Sequence, residues 1–150
     1  MKLAALIILA LIIAFGALLT FQNLKTPTHL GVKDGKLAPM PSKPNAVSSQ
    51  TDIADKKVEP LMFKASLEET LKAVQEVLAT LGGNEVQTQE SDYIYTVFTT
   101  PTMRYHDDVE VYLDTDAQLL HFRSQSRAGH SDMGVNRKRY EAFRALYLKK

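Results

Sequence analysis

Arg123 to Arg139, reading RSQSRAGHSDMGVNRKR, gathers guanidinium groups, hydroxyls, carboxamides and one carboxylate around Gly129 and Gly134. Such a run has the means to hold an anion, because a helix start offers free backbone N–H groups and a field that favours negative charge. Arg137, Lys138 and Arg139 stand where that field disfavours them, so Asp132, an acidic headgroup or a bound anion is expected beside them. Ser131 or Asn136 is the expected cap, according to where the helix begins. His130 and Asp132, with Ser126 or Ser131, also supply the residue types of a base, its orienting carboxylate and a nucleophile. His106 and Asp107 are metal-compatible, yet four histidines and no cysteine make neither a His-Glu-x-x-His nor a Cys/His spacing. No metal site is assigned. No cofactor is expected either, since GxGxxG and the phosphate loop ending in Gly-Lys-Ser/Thr are both absent.

These groups need elements to position them. Val58 to Lys64 reads as a first strand, and Ser66 with Glu69 has the spacing of a capping box that opens a helix. Leu67, Leu71, Val74, Leu78 and Leu81 mark its core-facing stripe, and Gly82 and Gly83 stop it. Glu85 to Thr88 predicts a short strand and Tyr93 to Thr99 a stronger one, interrupted by Pro101. Strands over about Tyr105 to Leu113 and through about Gln125 flank the turn Asp114-Thr115-Asp116-Ala117. Val135 to Leu148 predicts the last helix, with Tyr140, Phe143 and Tyr147 on its apolar side.

The last hairpin carries a register expectation. If Leu113 lies across from Gln118, Val111 meets Leu120 and Val109 meets Phe122 on an apolar face. The other face then sets Glu110 opposite His121 and Asp108 opposite Arg123, with Arg104 and Arg127 farther along, partly wet. The fold class is α+β: a small domain with an antiparallel-rich sheet packed against two helices.

Leu3 to Phe21 is nineteen residues without a charge. As a helix it rises about 28 Å, close to the ~30 Å of a bilayer's hydrocarbon. This predicts a transmembrane or signal-anchor helix over 1–22, whose partner is the lipid bilayer through residues 3–21. Residues 23–56 hold Pro27, Pro39, Pro41 and Pro44 and read as a flexible linker and Pro-rich loop; PMPSKPNAVSSQ at 39–50 is a stiffened tether or a binding loop. The α+β domain is then 57–150. Lys2 and the terminal amine favour an inside N-terminus and an exported domain, although Lys25, Lys33 and Lys36 argue the other way. The alternative is secretion after cleavage near Ala14, Gly16 and Ala17. A formal charge of +1 leaves no broad basic field, so no nucleic acid is expected.

SKPNAVSSQ at 42–50, EPLMF at 59–63, RYHDDVEVYLD at 104–114 and HFRSQSRAGHSDMGVNRKRYEAFRALY at 121–147 resemble the DUF1499 family of bacteria and plastids, over about residues 39–147. The resemblance implies a shared polar pattern at Arg104, Asp107, Asp108, Glu110, Arg123, Ser124, Ser126, Arg127, Gly129, Ser131, Asp132, Gly134, Asn136 and Arg137, with no reaction attached to it. Many relatives carry a cysteine pair flanking the proline-asparagine segment; here Ala46 stands at the second place.

The leading expectation is a membrane-anchored envelope domain at a bacterial inner membrane, its soluble part periplasmic. It would bind a partner or an anionic small molecule through Arg104, Asp107, Asp108, Glu110, Arg123, Ser126, Arg127, Ser131, Asp132, Asn136 and Arg137. The alternative is a hydrolase with a His/Asp/Ser or metal-centred site. The sequence leaves oligomeric state open.

Overall fold

The computed structural model describes residues 2–150. One N-terminal apolar helix precedes a mixed α+β domain in which an antiparallel sheet packs against two helices. Helix α1 (Lys2–Leu24) has no buried residue along its length and is long and apolar enough to cross a membrane. Strands β1 (Ala46–Ser48) and β2 (Leu61–Met62) both pair with β6. Helix α2 (Leu67–Leu81) leads into β3 (Asn84–Gln89), β4 (Tyr93–Thr99), β5 (His106–Asp114) and β6 (Leu119–Ser126), and α3 (Val135–Tyr147) closes the chain. The sheet order is β1-β6-β5-β4-β3.

Local chemistry explains the boundaries. The Ser66 side chain caps α2 by accepting from the Glu69 N–H at 3.1 Å, and Gly82 ends the helix at φ +60, a backbone state that costs glycine little. The buried face of α2 is Thr70, Ala73, Val74, Val77 and Leu78; Leu67, Leu71 and Leu81 pack only at its margin. The expected stripe is therefore rotated. The helix packs against α3 and β3, and Ala73, Val74, Val77 and Leu78 are its share of the common core. The expected strand Val58–Lys64 shrinks to Leu61–Met62, since Pro60 has no N–H to give a ladder.

The core lies between the sheet and the two helices. Ile94, Phe98, Val109, Val111, Leu113, Leu120 and Phe122 meet Val74, Val77, Tyr140, Phe143 and Tyr147. Phe122 packs against Tyr140 and Phe143 at centroid distances of 5.4 and 5.2 Å, geometry that adds about 0.5–1.5 kcal/mol per pair beyond burial. The phenol tips donate to backbone: Tyr140 to the Glu59 carbonyl at 2.5 Å and Tyr147 to the Met62 carbonyl at 2.9 Å. They thereby hold the irregular 59–62 segment over the core.

The β5–β6 register differs from the expectation by two residues. Leu113 faces Leu120, Val111 faces Phe122, Glu110 faces Arg123 and Asp108 faces Gln125. A two-residue slip leaves every side chain on its own face, so the hydrophobic alternation cannot detect it. The turn decides. Gln118 takes a left-handed conformation at φ 54, and the Asp114 carboxylate accepts the Asp116 and Ala117 N–H groups, so residues 115–118 all belong to the loop.

The second sheet face is not wet. Asp108 and Glu110 are 1% and 0% exposed, and Tyr93, Tyr95 and Leu37 form a small apolar cluster on the same side. The cover comes from residues that composition placed in the linker. Leu37 and residues 45–49 are buried, and Ala46–Ser48 is itself a strand. His29, Gly31, Leu37 and Ala38 make the contacts on this face, while Ala46–Ser48 extends the sheet beside β6.

Candidate functional site

Strand alternation divides the candidate residues between two sheet faces. On the covered face, the Glu110 carboxylate accepts Arg123 Nη1 at 2.9 Å, the Tyr93 hydroxyl at 2.8 Å and the Gly31 N–H at 2.7 Å. Arg123 also donates through Nε to the Ala38 carbonyl at 3.0 Å and through Nη2 to Gln125, with His29 Nε2 at 3.4 Å. Burial drives the Arg123 pKa down from its ordinary value, and Glu110 acts against that fall. Burial, then Glu110, raise Tyr93 above its ordinary range, which keeps the phenol a donor.

Asp108 repeats the pattern one step along the sheet. It accepts the Tyr95 hydroxyl at 2.6 Å and Arg127 Nη2 at 2.8 Å, with Arg127 Nε at 3.0 Å from both oxygens. Burial opposes the charge on Arg127, but hydrogen bonding and the field of Asp108 prevail, so its pKa is raised. The last turn of α1 reaches this end of the sheet. Asn23 donates through Nδ2 to the Arg104 carbonyl at 2.9 Å and accepts the His106 N–H at 2.7 Å. Its own carbonyl lies 3.1 Å from His106 Nδ1.

On the helix face, Asp107 accepts Ser126 Oγ at 2.5 Å and Arg139 Nη2 at 2.6 Å, while the Arg139 guanidinium stacks over Phe98 at 4.6 Å. Asn136, fully buried, is the hub: its amide donates to Ser126 Oγ and the Asn45 carbonyl, each at 3.0 Å, and to Asp132 at 2.7 Å. Its Oδ1 accepts Arg139 Nη1 at 2.7 Å and the Ser124 hydroxyl. Asn45 Oδ1, buried beside this hub, has no donor among the described residues.

The loop 127–134 behaves differently from its expectation. Neither Ser131 nor Asn136 caps α3 with its side chain; Asp132 does, accepting the Gly134 N–H at 3.1 Å and the Asn136 N–H at 2.8 Å. A carboxylate at a helix start is what the helix field favours, and it also offsets Arg137, Lys138 and Arg139. Ser131 Oγ only accepts the Met133 N–H at 3.2 Å. Arg137 donates to the Asp55 and Lys57 carbonyls, both at 3.0 Å, and so clamps that segment. Arg104 stays exposed in the 100–105 turn.

These placements separate the hydrolase residues. His130 is exposed and has no side-chain hydrogen bond among the described residues, while Asp132 is occupied with the helix start and Ser126 with Asp107. The local triad does not assemble. His106 and Asp107 project from opposite faces of β5, and among the described residues no three metal-ligating side chains converge. The structure adds Asn23, His29, Asn45, Tyr93, Tyr95, Gln125 and Arg139 to the candidate residues. For the two tyrosines a signal was present: their alternation with Ile94 and Thr96 puts them on the face of Asp108 and Glu110.

Where the 100–105 turn meets the 126–135 loop, the surface opens into a cleft of about 490 Å³. Pro101, Met103, Ala128, Met133 and Val135 line it, with Asp107 and Ser126 at the polar side.

A single apolar helix is hydrogen-bonded through its last turn to an α+β domain that carries buried ion pairs on both sheet faces. The chain belongs to DUF1499, described as a protein family of unknown function, whose model matches residues 36–146. The match includes all three buried ion pairs, Glu110–Arg123, Asp108–Arg127 and Asp107–Arg139, and begins after Gly31 and His29. A comparison with the curated proteins finds no match.

Proposed function

We propose that the chain is a single-pass binding protein of a bacterial inner membrane, with α1 in the bilayer and the α+β domain in the periplasm. The observation that carries a binding role is the cleft between the 100–105 turn and the 126–135 loop, of a size usual for small-molecule sites, about 300–1,000 Å³. It adjoins the Asp107-Ser126-Asn136 network, which fixes its polar wall. The continuity of α1 through Asn23, whose side chain holds the Arg104 and His106 backbone, supports retention of the helix over cleavage. A soluble anion is the less favoured ligand: Arg123, Arg127 and Arg139 are each committed to a carboxylate, and Arg137 to two carbonyls. Arg104, exposed in the adjoining turn, is outside the cleft lining. A protein partner remains the second reading, favoured by the exposure of Met103 and Met133.

The cysteine-free chain permits a direct test. Met133→Cys places one thiol at the cleft mouth. In spheroplasts a membrane-impermeant maleimide is expected to label it, and envelope extract is expected to slow that labelling. Labelling only after lysis reverses the topology, and an unchanged rate with every extract refutes the cleft as a binding site.

A further inference from the structure

We infer that the cleft seats an acyl chain of a bilayer phospholipid, entering from the membrane that α1 crosses; this deepens the binding role proposed above and rests on it. Three observations converge. The first is position. Asn23, in the last turn of α1, is hydrogen-bonded to the backbone of Arg104 and His106, so the 100–106 segment sits where the helix leaves the bilayer. That segment is one lip of the cleft: Pro101, Met103 and Tyr105 belong to its lining.

The second is the character of the rim. Met103 is 65% exposed and Met133 89% exposed, one on each side of the opening. Unbranched thioether side chains adapt to irregular apolar partners, and covering each by hydrocarbon is favourable. Two of them at one mouth, next to a helix end of membrane-spanning length, face lipid rather than water.

The third is what the cleft does not offer. Its lining contains no lysine, arginine or histidine, and it does contain the carboxylates of Asp107 and Asp132. Both are satisfied from within: Asp107 by Ser126 and Arg139, Asp132 by the Gly134 and Asn136 backbone. The interior therefore offers an anionic headgroup no cationic partner, and the polar groups left in the lining are the neutral hydroxyls of Thr100, Thr102, Tyr105 and Ser131. The apolar remainder fits hydrocarbon, with the headgroup left at the interface.

The test uses the full chain in phosphatidylcholine vesicles that contain a phospholipid bearing a diazirine in mid-chain. After irradiation, label is expected on peptides covering 100–105 and 128–135 as well as on α1. Met133→Lys, at an exposed position, and Ala128→Leu, which fills the wall, are each expected to cut cleft labelling several-fold while α1 labelling persists. Labelled α1 with an unlabelled cleft overturns the acyl-chain inference alone. No label on α1 overturns the membrane-anchored reading itself. Cleft labelling by a free diazirine fatty acid, but not by the phospholipid, overturns the bilayer source.

Discussion

Glu110 Oε2 and Arg123 Nη1 lie 2.9 Å apart, directly across β5 and β6, with their side chains 0% and 1% exposed. Burying two charges costs several kcal/mol each, which only close pairing and further hydrogen bonds recover. Both conditions are met, since Tyr93 and Gly31 also donate to Glu110, and Ala38 and Gln125 also accept from Arg123. The pair also resolves what hydrophobicity leaves open. A two-residue slip keeps the apolar face intact but moves Arg123 across from Asp108, leaving Glu110 opposite His121.

Arg123→Met strands a buried carboxylate, and Glu110→Gln strands a buried guanidinium. Each is expected to destabilise the fold by about 3–5 kcal/mol. The double variant is expected to cost less than the two singles together, as read from urea midpoints; strict additivity would show that the pair does not act as a unit.

Ser66→Ala removes the acceptor for the Glu69 N–H and also an aligned helix start. A loss of about 1 kcal/mol is expected in chemical denaturation. Asp at the same position is expected to restore most of it. A silent alanine variant would mean that solvent replaces the cap without cost.

Helix α2 presents a second comparison. Leu78 is 2% exposed and joins the core, whereas Leu71 packs only at its edge. Leu78→Ala is expected to cost about 2–5 kcal/mol and Leu71→Ala distinctly less. Equal losses would contradict the rotated face.

His121 supplies a pH dependence. Burial lowers its pKa from 6.5, more than Asp114 raises it, and Ser49 Oγ lies 3.1 Å from its Nδ1. A depressed folded value means that the unfolded chain takes the proton first. The contribution is therefore whole above 6.5 and lost as pH falls through the lower folded value. Urea midpoints should fall as the pH drops from 6.5 towards that lower value in the native chain, and fall less in His121→Gln. Parallel profiles would assign the loss to another group.

Much of this architecture was legible because its determinants are local. The Ser66–Glu69 spacing and the β-branched run from Tyr93 to Thr99 each specify an element without reference to distant chain. The register of β5 on β6 was not, because a period-two pattern is blind to a slip of two and the deciding signal was one left-handed residue, Gln118. The cover over the second face was less legible still. Its contacts with the ion pair use the Gly31 N–H and the Ala38 carbonyl, groups that almost any sequence provides. Six of the candidate residues proved to be structural partners in three pairs: Asp108 with Arg127, Glu110 with Arg123, and Asp132 with the Asn136 backbone.

The cover has a consequence for the order of assembly. Ala38 meets Arg123 across 85 positions of chain, Asn45 meets Asn136 across 91, and Asn23 meets Arg104 across 81. The segment made first is thus completed by strands and a helix made last, and such distant closures are slow. During synthesis, Asp107, Asp108 and Glu110 emerge before Arg139, Arg127 and Arg123, the cations that neutralise them. Glu110 and Asp108 gain their cations with β6 and the residue that follows it, whereas Asp107 waits for Arg139 on the final helix, so the charge of the helix-side face is neutralised last.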